Sequence, residues 1–374
     1  MGYFIVLAIS WIGSLISKGK GIICTFIAFL WMAYLGGTAS PTTTTDYISY
    51  QYYYNLLLNG LPGNRLEWLY TYLSKVAIYY GFDYASFRLF LIYATFIILF
   101  IAVIRLTEKP ILFSALFLIF PFFNEVTQVR SFVAYTLVLF GLTFLKKLSF
   151  KNILIFEVIV WLGMGFHSSA SVFLFIPLVQ IFVQKAGITK ASYLSTILTF
   201  SFALLLMISS KIGTLINFMA RILELVGGSF IATTFTNLMN HSSNRKIFFV
   251  IALISYVSYQ WYLAKVGNEC SINNSSFRVP YSLYALLLMG ELLLPLLLIS
   301  DQLQRFQRIG IESGLLIAST LFYEKVKTKK SGRYLFILIV VVLILISMFL
   351  YYGLTDINAD FPKSIPYIGH FIKE

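Results

Sequence analysis

Almost every strongly apolar stretch of this chain approaches the length needed to cross a lipid bilayer, and few charges interrupt these stretches. A hydrocarbon layer of roughly 30 Å takes about 20 apolar residues per helix. Apolar runs fall at about 3–17, 21–36, 84–105, 110–124, 130–145, 152–165, 169–184, 191–208, 246–264, 281–299, 306–324 and 333–353. They predict an all-α, polytopic integral membrane protein with about a dozen transmembrane helices. Composition agrees: 59% of the 374 residues are apolar, 11% are charged, and mean hydropathy is +0.83. A soluble domain would carry roughly a quarter charged residues. So little sequence lies outside the runs that 1–374 reads as one integral unit.

The charges set the orientation. The formal net charge of +13 invites a nucleic-acid reading, but Lys and Arg sit mainly in short loops between runs. Lys18 and Lys20, Arg105 and Lys109, Lys146 to Lys151, Lys185 and Lys190, and Lys325 to Arg333 occupy alternate loops. That is the positive-inside pattern, so these loops go in the cytoplasm and no nucleic-acid partner is needed. Lys265 and Arg278 fall on the same side. Cys24 lies in a run and Cys270 in an expected cytoplasmic loop, so both read as free thiols. No basic segment precedes the first apolar run and no small-residue cleavage site follows it. It is therefore expected to be a retained span.

The opposite face receives 37–83, the turns at 125–129, 166–168 and 300–305, loop 209–245 and the C-terminal tail. Segment 37–83 opens on Gly36-Gly37, becomes tyrosine-rich from Tyr47 to Tyr54, and resumes after Pro62-Gly63 with Arg65-Leu66-Glu67-Trp68-Leu69-Tyr70. Its mixture of charges, rings and apolar residues suits a helix lying in the interface. Aromatic belts also collect Tyr and Trp there, so tyrosine density alone does not mark a sugar site. In loop 209–245, Asn217, Arg221 and Glu224 share one face of an amphipathic piece, the ordinary pattern of a solvated surface.

Several polar groups on that face could do chemistry. Arg130 begins a run and could simply snorkel to the headgroups. Glu125 and Gln128 crowd the same helix start, however, and a guanidinium matches pairs of phosphate oxygens. His167, one of three histidines, ends the next run and is followed by Ser168-Ser169. It could be an interfacial polar residue, a base, an acid or a hydrogen-bond donor. Arg305 and Arg308 follow Asp301 and share one side of a helix, as a phosphate clamp or an ordinary surface pair would. Glu157 and Glu291 lie inside runs, where carboxylates mark functional or structural pairing. The histidines have no metal-site spacing, so no metal or other cofactor is expected. No P-loop, dinucleotide-binding or nucleophile-elbow motif stands in a supporting context.

Two of these segments carry a resemblance. Gln128-Val129-Arg130-Ser131-Phe132-Val133-Ala134, followed by a basic turn and then Phe166-His167-Ser168-Ser169-Ala170, resembles the EpsG family of Wzy-type polysaccharide polymerases. Asp46-Tyr47-x-x-Tyr50 looks like that family's Asp-Tyr-x-x-Tyr element, although Thr42 to Thr45 intervene where the family has Gly-x-Asp. Asp301 to Arg308 and Ile365-Pro366-Tyr367 sit where the family places a basic turn and a Pro-Tyr tail.

The resemblance implies a GT-C-like glycosyltransferase of the bacterial inner membrane. It would join oligosaccharide repeat units carried on undecaprenyl pyrophosphate at the periplasmic face, in O-antigen, capsule or exopolysaccharide synthesis. Donor and acceptor would both be lipid-linked, with membrane lipid and a chain-length regulator as further partners. Arg130, Gln128, Arg305, Arg308, Asp46 and Asp301 would bind substrate. His167, Glu125 or Glu67 would take the acceptor proton. Two other classes compete: a flippase for lipid-linked oligosaccharides, which Glu157 and Glu291 suit, and a membrane O-acyltransferase, which would use the histidine but not the arginines.

Overall fold

The structure, a computed structural model, describes residues 2–39, 41, 44, 46–62, 66–208, 246–273, 279–300, 303–324 and 336–347. Asp301, the amphipathic piece of loop 209–245, His241, His370 and the Pro-Tyr tail lie outside the described residues. Every regular element described is helical. In chain order the α-helices are α1 Gly2–Ile16, α2 Ile22–Gly37, α3 Tyr47–Leu58, α4 Trp68–Tyr79, α5 Tyr84–Leu106, α6 Pro110–Ile119, α7 Phe122–Thr127 and α8 Val129–Leu142. They continue as α9 Phe150–Met164, α10 Ile176–Ala186, α11 Ile188–Ile208, α12 Lys246–Asn273, α13 Tyr281–Leu292, α14 Gln304–Glu324 and α15 Phe336–Ser347. Short 3-10 segments, Ser168–Phe175 and Leu294–Leu298, precede α10 and follow α13.

This is an α-helical membrane protein. Among the described residues, five stretches are long and apolar enough to cross a bilayer: Tyr84–Leu106, Ser168–Ala186, Ile188–Met207, Phe249–Ile272 and Tyr281–Leu298. Five more apolar helices are shorter, at 10–17 residues. A sequence run measures continuous hydrophobicity, whereas a helix ends where its backbone breaks. The expected span at 110–124 illustrates the difference. It becomes α6, a break at Phe120-Pro121, and the separate helix α7. Nine consecutive residues of α6, Pro110 to Leu118, are buried, so protein surrounds this helix on every side.

Other boundaries moved as well. Segment 37–83 forms two helices, α3 and α4, rather than one. Cys270, expected in a loop, lies buried in the last turns of α12, which extends beyond the apolar run. Glu291 lies near the middle of the stretch Tyr281–Leu298, as the penultimate residue of α13 just before the 3-10 segment that carries Pro295.

Packing follows two rows of neighbours. Helices α2, α5, α8 and α9 contact one another in sequence, while α10, α13 and α14 form a second group. The two meet where α14 packs on α6 and α8. Small residues set one close crossing. A Cβ built on Gly310 of α14 would lie 3.2 Å from the Gly290 Cα of α13 and 2.0 Å from the Tyr256 hydroxyl of α12. Between helices with little hydrophobic drive to associate, such close backbone approach supplies dispersion contact. The Tyr256 hydroxyl fills the notch and donates to the Leu287 carbonyl at 2.8 Å.

One buried arginine ties three segments near the site. Arg88 of α5 is 1% exposed, and its guanidinium donates to the carbonyls of Gly36 and Gly37 at 2.6 and 3.0 Å and of Val126 at 2.8 Å. It also lies over the Tyr47 ring, 5.3 Å from its centroid. The C-terminal carbonyls of α2 have no intrahelical donors, and Arg88 supplies them.

Two outcomes follow. Arg88→Met should orphan these carbonyls and lower stability by on the order of 3 kcal/mol, read by denaturant unfolding in detergent. Gly310→Ala should cost about 1–3 kcal/mol through overpacking, and Tyr256→Phe in the same chain should recover part of that loss.

Candidate functional site: a three-arginine centre

The site is assembled from chain turns that the sequence places on one face. Each of its three arginines is oriented by a different partner, as a guanidinium withdrawn from water must be. Arg130 enters from the first turn of α8. It pairs with the Glu67 carboxylate at the start of α4, whose other oxygen accepts the Ser168 amide at 3.2 Å. The Arg130 guanidinium also lies over Tyr50 and Tyr70, 5.0 and 6.0 Å from their ring centroids.

Arg305, near the start of α14, donates to His167 Nε2 at 2.6 Å. Arg308, one turn later, is buried. It donates to Gln128 Oε1 at 2.7 Å and forms an ion pair with Glu125 through Nε at 3.0 Å, off the hydrogen-bond line.

Local structure explains these positions. Gln128 ends α7 and caps α8, so Glu125, Gln128 and Arg130 spread around one short turn. Gly165 ends α9, and its carbonyl accepts the Leu69 and Tyr70 amides at 2.9 and 3.0 Å. Those are first-turn amides of α4, which lack intrahelical acceptors. This contact fixes Glu67 beside His167.

The hydrogen bonds assign His167 its state. Arginine has no acceptor, so Nε2 must be the bare nitrogen; Nδ1 then carries the proton and donates to Ser169 Oγ, which overrides the longer 3.3 Å approach of the Ser169 amide to Nδ1 as a helix cap. Nδ1 lies 2.7 Å from Ser169 Oγ, which is 3.0 Å from the Tyr135 hydroxyl. His167 keeps some surface at the turn, but protein surrounds its ring. Burial first, then the charges of Arg305, Arg130 and Arg308, hold its pKa well below the ordinary value. It is a neutral ring whose free lone pair is already used by Arg305.

The carboxylates divide sharply. Asp46 precedes α3, is half-buried, and does not cap that helix with its side chain. Burial raises its pKa, while Arg305, Arg130, Arg308 and a hydrogen bond from Tyr50 pull it down. All three arginine charges therefore act on Asp46. Glu125 is fully buried; burial raises its pKa and Arg308 and Arg305 oppose the rise. Neither of its oxygens accepts a hydrogen bond from any described residue. Glu312, one turn beyond Arg308 on α14, is 1% exposed, with Oε1 likewise unbonded among the described residues.

Of the sequence candidates, Asp46, Glu67, Glu125, Gln128, Arg130, His167, Arg305 and Arg308 are brought together. Glu291 is not among them. Its carboxylate accepts Ser195 Oγ at 3.0 Å and Thr196 Oγ1 at 2.7 Å between α11 and α13. Glu157 is partly buried on α9. Sequence reading passed over Glu312 and Tyr135, and it named Tyr50 and Tyr70 only within longer runs, with no role at the site. Glu312 had a signal, since it is a third carboxylate inside an apolar run. Among the described residues, no group of His, Cys, Asp or Glu is arranged to hold a metal ion.

This α-helical membrane protein thus gathers three guanidiniums beside a half-buried aspartate, an arrangement whose chemistry can pair with anionic oxygens. The family model described as the EpsG family matches residues 22–367, and the chain belongs to that family. None of the curated proteins and none of the solved structures matches it. Membership points to polysaccharide-polymerase-like function.

His167 gives a pH prediction with a definite sign. Its folded pKa is depressed, so below the unfolded value of about 6.5 the unfolded chain binds more protons. Stability should fall as pH drops below about 6.5, by at most ~1.4 kcal/mol per unit for this group. The raised pKa values of Asp46 and Glu125 act with the opposite sign, at the acid end of the range. Thermal unfolding of wild type and His167→Gln across pH 5–8 should isolate the histidine component as the difference between the two curves.

Proposed function

We propose that this protein is a GT-C-type glycosyltransferase that polymerises lipid-pyrophosphate-linked oligosaccharide repeat units. It would act on the outer face of the bacterial cytoplasmic membrane, in synthesis of O-antigen, capsule or exopolysaccharide. The observation that carries this reading is the convergence of Arg130, Arg305 and Arg308, each held by its own partner, around Asp46.

A pyrophosphate leaving group gains negative charge as the glycosidic bond to it breaks. Guanidiniums fixed beforehand stabilise that charge without reorganising at the moment of reaction. Arg130, Arg305 and Arg308 would grip the donor's phosphates with Gln128 as an additional polar contact. The acceptor hydroxyl attacks the anomeric carbon, its proton passes to a carboxylate, and the electron pair of the breaking C–O bond leaves with the pyrophosphate.

Asp46 suits the proton-accepting role best. Glu67 is engaged by Arg130 and the Ser168 amide, Glu125 is enclosed against Arg308, and the His167 lone pair faces Arg305. In this reading His167 positions Arg305, Glu67 positions Arg130, and Glu125 positions Arg308. Single displacement gives inversion at the anomeric carbon.

A flippase would use polar groups reachable from both sides of the membrane. The strongest such group, Glu291, is enclosed and hydrogen-bonded on both oxygens. An O-acyltransferase leaves the three arginines without a task.

In a deletion strain, complementation with Arg130→Ala should leave inserted protein and cells displaying at most one repeat unit, seen on a polysaccharide gel. Long-chain polymer from a well-expressed Arg130→Ala strain would refute the assignment. Asp46→Asn should lower the turnover of lipid-linked units by about 100-fold or more, while His167→Ala should reduce it less.

A further inference from the structure

The external hairpin of α3 and α4 holds a groove that the arginine centre does not use. It is a cavity of about 750 Å³ between the end of α3 and one side of α4. Leu57, Leu61 and Leu66 form its apolar floor, and Trp68, Tyr72 and Lys75 stand along its α4 wall. That volume is in the usual range for small-ligand sites.

The wall is ordered by helical spacing. Trp68, Tyr72 and Lys75 follow one another at four and three residues, so they share one face of α4. Trp68 is 49% exposed and Tyr72 60% exposed. Trp68 also packs on Trp161, with centroids 5.0 Å apart and an interplanar angle of 37°.

The groove begins beside the arginine centre along α4. Glu67, which holds Arg130, directly precedes Trp68, and the next two amides donate to the Gly165 carbonyl. The approach there is close: a Cβ on Gly165 would lie 2.6 Å from Leu69 Cβ and 2.8 Å from the Trp68 ring. From Trp68 to Lys75 the wall runs about 10 Å at the ~1.5 Å rise of a helix, leading away from the reacting centre.

The chemistry of the wall selects an occupant. A sugar ring has flat C–H faces bordered by hydroxyls, and an exposed aromatic face with donors beside it matches both. An acyl chain would match the floor but make no use of the exposed Tyr72 hydroxyl and Lys75 ammonium. The ammonium favours a sugar bearing an acidic group. We infer that the α3–α4 groove is a saccharide subsite, binding acidic sugar residues of the lipid-linked chain next to the unit that reacts. This rests on the polymerase reading above.

The test uses the full chain in phosphatidylcholine nanodiscs. The probe is the producing strain's own polysaccharide, released from its lipid by mild acid and fluorescently labelled. Tyr72→Ala and Lys75→Gln together should weaken binding about tenfold or more, and Lys75→Arg should retain it. Equal binding by wild type and the double variant, or no binding by wild type, overturns the subsite. So does loss of wild-type binding when phosphatidylglycerol is added to the discs, which would mark an interfacial headgroup site.

Arg130→Ala in cells reads the polymerase assignment separately. If that strain makes long polymer while Tyr72 and Lys75 still govern binding, the reaction assigned above fails and the saccharide groove stands.

Discussion

A guanidinium taken out of water must place its donors on protein acceptors, and this requirement organises the centre of the molecule. Arg88, Arg130, Arg305 and Arg308 each join segments distant in sequence. Arg88 binds the end of α2 to α7, Arg130 binds α8 to the start of α4, and Arg305 and Arg308 bind α14 to two separate turns. Breaking such a pair leaves a buried charge, which costs far more than the intact pair contributes. The same contacts therefore hold the helices in register and aim the site.

Much of the site was legible because polar residues are rare in this chain and each one stands out. Gln128, Arg130 and His167 sit at run boundaries, and Arg305 and Arg308 are spaced for one helix face. Alternation of basic loops then put their turns on a common side, and the fold gathers them. Their roles were not legible, because a role depends on the partner. His167 could be a base or a donor in sequence; the Arg305 contact, 138 residues away, leaves its free nitrogen occupied.

Other residues were hidden for identifiable reasons. Arg88 sits in the first turns of a long apolar helix, where a snorkelling residue looks the same, and its acceptors are main-chain carbonyls that leave no mark in sequence. Glu312 is flanked by Gly310 and Gly314 within an apolar run, and hydropathy averages over it. The number of bilayer crossings was less accessible still. The break at Phe120-Pro121 divides an apolar run without lowering its hydrophobicity, whereas the change to 3-10 geometry after Leu292 leaves Tyr281–Leu298 long enough to cross.

The pairing of Glu125 with Arg308 also has a bearing on biosynthesis. The two residues are 183 positions apart by their numbering, so a ribosome must deliver α8 through α14 before the carboxylate meets its counter-charge. Until then α7 carries an acid whose only means of avoiding a bare charge in an apolar setting is to hold a proton or stay near water. Arrival of α14 brings Arg305, Arg308 and Glu312 together in one helix. The centre is thus completed late, by a single insertion event, and an interrupted chain has no assembled arginine cluster to expose.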